Sequence, residues 1–187
     1  MTRLISSLAL CAAGLLATPL ASATVLTFDD ITADEFVAAN YGGLDWSHAD
    51  WFAFSGEQAP FTAHSGNVRV TTSFTDTDAD IAIGLGQGKT FQGAWFAGYE
   101  DVGVTFQLYD HGQLVATSAT LATSATPTWL ASGYAGLVDE VVVSSATQGA
   151  FVMDDFTFAA SVPEPTSTAL TAAGLLTLAA AAIRRRA

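Results

Sequence analysis

Apolar and polar residues alternate along much of the middle of the chain, a pattern typical of β-strands rather than helices. The clearest run is Val102, Val104, Phe106 and Leu108, in which every second residue is apolar. Because successive side chains of a strand point to opposite faces, such a run has one face for a core and one for solvent. The same criterion predicts further strands over residues 25–28, 67–74, 90–99, 114–121, 138–144 and 150–158.

Turn residues separate these strands. Asp110-His111-Gly112 predicts a hairpin turn after the first run, and Thr147-Gln148-Gly149 predicts a last hairpin between strands 138–144 and 150–158. Only Thr32–Asn40 looks helical. Many short strands without a helical period are typical of all-β proteins. We therefore predict a single β-sandwich or barrel domain over residues 24–160.

The N-terminal segment has the three parts of a secretory signal peptide. Arg3 supplies a positive charge, Leu4–Leu16 is apolar, and Ala21-Ser22-Ala23 is a small-x-small cleavage site before Thr24. Residues 1–23 are therefore predicted to be removed during export. The single cysteine, Cys11, lies in this segment, so the predicted domain has no disulfide bonds.

The C-terminal segment, residues 161–187, has an ordered three-part pattern. Val162-Pro163-Glu164-Pro165 comes first, then the uncharged run Thr166–Ile183, then Arg184-Arg185-Arg186. Eighteen helical residues span about 27 Å, close to the thickness of a bilayer core, which predicts one transmembrane helix over 166–183. The arginines should stay in the cytoplasm, which places the preceding domain outside it. An ordinary C-terminal anchor with a proline-containing stalk is the alternative.

This ordered tail resembles the PEP-CTERM sorting signal of Gram-negative bacteria. The resemblance covers residues 162–187 and includes all three parts of the signal. It implies that an exosortase, a membrane-embedded sorting enzyme, is a partner and cleaves at or near Val162–Pro165. It also implies a transient membrane anchor followed by release to the cell surface or extracellular matrix, where such proteins are associated with exopolysaccharide.

The charge of the predicted domain limits its partners. Residues 24–160 contain every aromatic side chain of the chain (12 Phe, 4 Tyr and 4 Trp), which is enough for a sizeable core. Their basic side chains are Arg69 and Lys89, against 17 acidic ones, a formal charge of −15. Such a domain should be repelled by nucleic acid and anionic lipid, so metal cations and neutral polymers are the expected partners.

Three short motifs give the domain a second resemblance. They are Thr27-Phe28-Asp29-Asp30, Tyr41-Gly42-Gly43-Leu44-Asp45-Trp46 and Phe151-Val152-Met153-Asp154-Asp155-Phe156. Together they resemble the exported jelly-roll sandwiches of the galactose-binding or carbohydrate-binding-module kind that are commonly joined to this sorting tail. The resemblance implies a non-catalytic surface or matrix protein that binds carbohydrate.

Motifs for catalysis are scarce. His48, His64 and His111 lack the spacing of a zinc site, and no nucleophile elbow or phosphate loop occurs. A hydrolase of envelope or matrix polysaccharide remains the alternative function, because its two carboxylates could come from anywhere among so many acids. We predict that the protein is not an enzyme.

Two groups of residues are predicted to bind ligands. In jelly rolls of this kind the first and last strands lie close together, so Asp29 and Asp30 should meet Asp154 and Asp155 and form a structural Ca²⁺ site. The alternative is that Asp29 and Asp155 point outward while the neighbouring phenylalanines fill the core.

The four tryptophans are the predicted sugar platforms, because an indole face packs on the apolar face of a pyranose. Trp46 and Trp51 lie in a polar, loop-like part of the sequence and are expected to be exposed. Trp95 and Trp129 are the other two candidates, and core packing is the expected role for most of the four.

Overall fold

Strands account for nearly all regular structure in the computed structural model, which describes residues 22–48, 50–77 and 81–161. In these ranges the secondary structure is a short 3₁₀ turn, Tyr41–Gly43, and the strands β1 (Ala23–Leu26), β2 (Glu35–Phe36), β3 (Phe52–Phe54), β4 (Arg69–Thr71), β5 (Ala82–Gly98), β6 (Gly103–Asp110), β7 (Gln113–Thr117), β8 (Leu121–Ala122), β9 (Thr128–Ala131), β10 (Val138–Ser145) and β11 (Phe151–Ala160). The all-β prediction is confirmed. None of the described helices is long and apolar enough to cross a membrane.

All strand pairs are antiparallel, and the long strand β5 organises them. The strands follow the order β2-β3-β4-β11-β5-β10-β6-β7, and β1, β8 and β9 pair with β11, β6 and β5. One edge of β5 pairs with β11 from Lys89 to Gly98. Its other edge pairs first with β10 and then with β9. Because β1 pairs with β11, the first and last strands are neighbours, as predicted.

The core lies on one face of these strands, where their alternating apolar residues meet. Val104, Phe106 and Leu108 of β6 are completely buried, which confirms the face predicted from their spacing. Phe106 packs edge-on against Phe91 of β5, with the ring centroids 4.7 Å apart. Phe91 in turn stacks on Phe156 of β11 at 4.6 Å. The strands therefore enclose an aromatic core in a β-sandwich-like arrangement.

Two local predictions are wrong. The predicted last hairpin does not exist, because β5 lies between β10 and β11 and pairs with both. The predicted helix at Thr32–Asn40 is absent as well. Its residues Glu35 and Phe36 form β2 and pair with Ala53 and Phe52 of β3. In both cases the gain from strand pairing outweighs the local sequence preference.

The turn at Asp110-His111-Gly112 is confirmed as the connection between β6 and β7. Of the predicted signal cleavage site, Ala21 lies outside the described residues. Ala23 and Thr24 belong to β1 and pair with Ala159 and Phe158. The sorting motif Val162–Pro165, the span 166–183 and the arginines 184–186 lie outside the described residues.

Candidate functional site

A groove crosses the outer face of β5, β10 and β6. It is built from two rows of paired residues, Asp45–Gly84–Glu140–Tyr109 and Ala82–Val142–Gln107. Each row runs across the strands, which are about 4.8 Å apart. Together with His48 these residues line a cavity of about 640 Å³. That volume is within the range of about 300–1,000 Å³ found for small-ligand sites.

Gly84 creates the depth of this groove. The residue stands in β5 between Asp45 and Glu140, so the row has no side chain at its centre. Asp45 is fastened to Gly84 by two backbone hydrogen bonds of 2.8 Å, each residue donating its N–H to the other's carbonyl. A Cβ at position 84 would lie 3.0 Å from the Cβ of Asp45. Only glycine therefore leaves the floor of the groove open.

The walls of the groove carry an ordered set of polar groups. The Tyr109 hydroxyl donates to Oε1 of Gln107 at 2.8 Å, which fixes the amide beside the half-buried phenol ring. On the opposite wall, Ser47 donates both its hydroxyl and its backbone N–H to Oδ1 of Asp45. These hydrogen bonds lower the pKa of the Asp45 carboxyl, so it is an ionised acceptor at neutral pH.

The predicted exposure of Trp46 and Trp51 is wrong. The two indoles are 1% and 0% exposed and pack edge to face on each other. Each buried N–H has a backbone acceptor, the carbonyl of Tyr41 for Trp46 and that of Ile81 for Trp51. Burying two large rings stabilises the fold once these N–H groups are paired, so neither residue is available as a sugar platform.

The other two tryptophans are only partly buried. Trp95 and Trp129 are cross-strand partners on β5 and β9, with ring centroids 5.9 Å apart. The His64 ring stacks on Trp95 at 3.6 Å and covers one of its faces. The aromatic surface in this part of the molecule is therefore partly occupied by the protein itself.

The two acidic pairs predicted to bind Ca²⁺ hold the loop between β3 and β4. Oδ2 of Asp154 accepts the backbone N–H groups of His64 and Ser65 at 2.8 and 2.9 Å. Oδ1 of Asp29 accepts those of Asn67 and Val68 at 2.8 and 3.1 Å. Backbone donors of the loop between β3 and β4 thus satisfy the carboxylates that were predicted to need a cation.

The remaining members of the two pairs have protein partners as well. The ring nitrogen Nδ1 of His64 lies 2.6 Å from Oδ2 of Asp155, whose other oxygen accepts the Ser65 hydroxyl. The Tyr41 hydroxyl donates to Asp30. Burial and this hydrogen bond raise the pKa of Tyr41. Among the described residues, these four carboxylates do not form a group with three ligand atoms within 4.8 Å of one another.

A bulge explains how neighbouring aspartates both face this loop. The pairing of β11 with β5 shifts between Asp154 and Thr157, and Asp155 has a φ of 50°. This left-handed conformation is one that aspartate tolerates. It leaves Phe156 completely buried, and Phe28 is also completely buried, so the phenylalanines fill the core as the alternative prediction stated.

One three-residue group among the described residues could coordinate a metal ion. Asp110, His111 and Asp139 place one ligand atom each within 4.8 Å of one another at the β6–β7 turn. Hydrogen bonds between these residues already account for the arrangement. The His111 N–H donates to Asp139, and His111 Nδ1 lies 2.8 Å from Asp110.

The sequence contained a signal for part of the groove. Gln107 and Tyr109 alternate with the buried residues Phe106 and Leu108, which places them on the outer face of β6. Glu140 and Gly84 lacked such a signal, because their alignment with Tyr109 depends on which strands pair.

Comparisons with known proteins find a likeness to solved structures but none to known sequences. No protein-family model and no curated protein matches the sequence. Among solved structures, the chain is similar to a mutant of CBM29-2, a family 29 carbohydrate-binding module studied for ligand recognition, with 10% sequence identity and a TM-score of 0.37. The alignment covers 79% of this chain and 99% of that chain. A TM-score this low supports no conclusion about the ligand.

Proposed function

We propose that the protein is an exported, non-catalytic carbohydrate-binding protein that holds a neutral polysaccharide in the β5–β10–β6 groove. The observation that carries this proposal is the groove itself, about 640 Å³, with a tyrosine ring, an amide and carboxylates along its walls. Carboxylate and amide groups bond sugar hydroxyls, and the face of Tyr109 offers an apolar contact for a pyranose ring.

Charge selects a neutral glycan over an acidic one in this groove. Asp45 and Glu140 both line the groove, and the basic residue in its lining is His48. An anionic sugar would meet these acidic side chains at short range, where salt screens little. The uncharged hydroxyl groups of a neutral sugar can instead donate hydrogen bonds to these carboxylates.

Two observations on carboxyl groups support binding without hydrolysis. A glycosidase needs one carboxylic acid that keeps its proton at the working pH and one ionised carboxylate. Asp45 is held ionised by Ser47. Asp154, the described carboxyl group with a raised pKa, is bonded to the β3–β4 loop and does not line the groove. A turnover assay with the same oligosaccharides tests the alternative hydrolase.

Replacing groove residues should weaken glycan binding. In calorimetry with neutral hexasaccharides of β-linked glucose, mannose, galactose and xylose, we expect wild-type protein to bind at least one of the four. Tyr109→Ala and Gln107→Ala should weaken that binding tenfold or more, about 1.4 kcal/mol. Gln92→Ala is the matched control, because Gln92 is exposed on β5 outside the groove. Equal losses in the Gln92 and Gln107 variants, or release of reducing ends, would contradict the proposal.

We also propose that the C-terminal segment delivers the protein to the cell surface. We propose that exosortase recognises Val162–Pro165, that residues 166–183 anchor the precursor in the membrane, and that Arg184–Arg186 remain cytoplasmic until cleavage. The order of these three parts in the sequence supports this.

Changing the motif should keep the protein in the membrane. With Pro163, Glu164 and Pro165 all replaced by alanine, we expect the unprocessed chain in the membrane fraction, because the sorting enzyme no longer recognises it. Mass spectrometry of wild-type protein should find a mature chain that begins at Thr24 and lacks Arg184–Arg186. A mature chain that retains these arginines would favour a simple anchor.

A further inference from the structure

A side chain of the loop between β3 and β4 covers one face of Trp95. The imidazole of His64 lies parallel to the indole, with ring centroids 3.6 Å apart and an interplanar angle of 9°. The His64 side chain is itself 33% exposed, so the imidazole separates the indole face from solvent. Moving this one small ring would therefore expose the face of a tryptophan.

Trp95 belongs to a row of residues that suits the binding of a sugar. Strand pairing aligns Trp129 of β9, Trp95 of β5 and Asp154 of β11, on the side of β5 opposite to the core residues Ala94 and Phe96. The two indole centroids are 5.9 Å apart, so the rings form one aromatic surface. Such a surface packs on the apolar faces of pyranose rings, and tryptophan side chains lose little entropy on binding because they have few rotatable bonds.

A carboxylate beside this surface has a partner that a sugar can replace. Oδ2 of Asp155 lies 2.6 Å from Nδ1 of His64, whereas Oδ1 of the same carboxylate accepts the Ser65 hydroxyl. If the imidazole moves away, Oδ2 loses its hydrogen bond, and an unpaired oxygen on a mostly buried carboxylate is costly. A hydroxyl group of a bound sugar is a suitable replacement donor.

The imidazole can leave the indole while the loop stays in place. The backbone N–H groups of His64 and Ser65 both donate to Oδ2 of Asp154, and these hydrogen bonds do not involve the imidazole. Rotation about the side-chain bonds of His64 needs no change in the backbone. The covered surface is therefore separated from solvent by one movable side chain.

We propose that Trp95, Trp129 and Asp155 form a second glycan-binding site, which the His64 side chain closes. The imidazole makes the two contacts that a pyranose would make, stacking on the indole and a hydrogen bond to the carboxylate. A sugar must displace it, so the affinity of the wild-type protein is reduced in proportion to the fraction of open molecules. This site is separate from the β5–β10–β6 groove, whose lining contains none of these residues.

The charges beside the indole favour a neutral glycan. Asp154 is the cross-strand partner of Trp95, and Asp155 follows it on β11. An acidic sugar stacked on Trp95 would meet these two carboxyl groups at short range. A neutral sugar offers hydroxyl donors to the same groups without repulsion.

Substitutions at His64 in the full chain test this closure. Every protein carries Tyr109→Ala and Gln107→Ala to remove binding in the groove, and calorimetry uses the four neutral hexasaccharides. His64→Ala uncovers the indole, so at least one hexasaccharide should bind tenfold or more tightly than it does with histidine. His64→Phe is the matched control, because it keeps a ring over Trp95 and should leave the affinity low. Since all proteins share the groove substitutions, failure of the groove proposal would not change this comparison.

Two further measurements keep the result interpretable if the alanine variant folds poorly. His64→Gln keeps a donor for Asp155 but has no ring, so it should also bind the sugar more tightly than the histidine protein. Chemical shifts should place the sugar on the indole N–H groups of Trp95 and Trp129. Equal affinities of the phenylalanine variant and the ring-free variants would overturn the proposal. Sugar-induced shifts that leave both indoles unchanged, or no binding of any of the four sugars, would overturn it too.

Discussion

Asp154→Asn should gain stability relative to wild type by about 3 kcal/mol as the pH rises from about 3 to about 7. Burial raises the pKa of Asp154 to about 6, and Asp155 raises it too, although the N–H groups of Ser65, Asp155 and His64 lower it. In the unfolded chain the pKa is about 3.9. Between these values the folded state binds more protons than the unfolded state, so wild-type stability falls as the pH rises. A shift of about two units corresponds to about 3 kcal/mol.

Urea denaturation of both proteins across this pH range measures the change. The asparagine variant does not titrate, so the difference between the two curves isolates residue 154 from the other acids. A constant offset is expected from the acceptor that Asp155 N–H loses, and it does not affect the slope. A difference that stays constant or reverses with pH would show that the three N–H donors outweigh burial.

Gly93→Ala is expected to destabilise the fold by about 3 kcal/mol or more. Gly93 lies in β5 beside β9 with a φ of 147°, a conformation that L side chains rarely adopt. A Cβ there would be 2.2 Å from the carbonyl oxygen of Leu130 and 2.7 Å from the Trp129 ring. The carbonyl belongs to a paired strand and cannot move without loss of strand pairing.

Gly112→Ala provides the matched control for this substitution. Gly112 also has a positive φ, 72°, but a Cβ there meets nothing within 4 Å. Its cost should be the backbone strain alone, roughly 1 kcal/mol. Similar midpoints for the two variants in urea would contradict the close approach of β9 to Gly93.

Sequence alternation identified the buried faces of the strands but not all of their partners. Residues 138–144 and 150–158 have the composition and the intervening turn of a hairpin, and both are strands in the structure. Their partner is nevertheless β5, which enters between them from earlier in the chain. Alternation is a local property, whereas strand order depends on contacts between distant segments.

The tryptophans also show that the local sequence does not reveal contacts between distant segments. The polar neighbours of Trp46 suggested exposure, yet its ring is covered by Phe28, Trp51 and Phe156, which come from three other parts of the chain. The first and last acidic pairs show another contribution that the sequence did not reveal. Their strands are neighbours as predicted, and the loop around His64 supplies backbone N–H donors to Asp29 and Asp154.

The groove depends most strongly on long-range pairing. Its central row joins Asp45, Gly84, Glu140 and Tyr109 from four separate segments. In the sequence, Gly84 stands in a glycine-rich run that lacks the spacing of a phosphate loop, and nothing nearby indicates a ligand. Its role as the floor of a cavity follows only from the residues that flank it in the sheet.

Mapping amide chemical shifts during titration tests the central claim, glycan binding in the groove, most directly. The titrant is whichever of the four neutral hexasaccharides binds the protein in calorimetry. The account predicts that the largest shifts occur at Gly84, Gln107, Tyr109 and Glu140, while Trp95 and Trp129 change little. Shifts concentrated on the two tryptophans, or no shift with any of the four sugars, would contradict it.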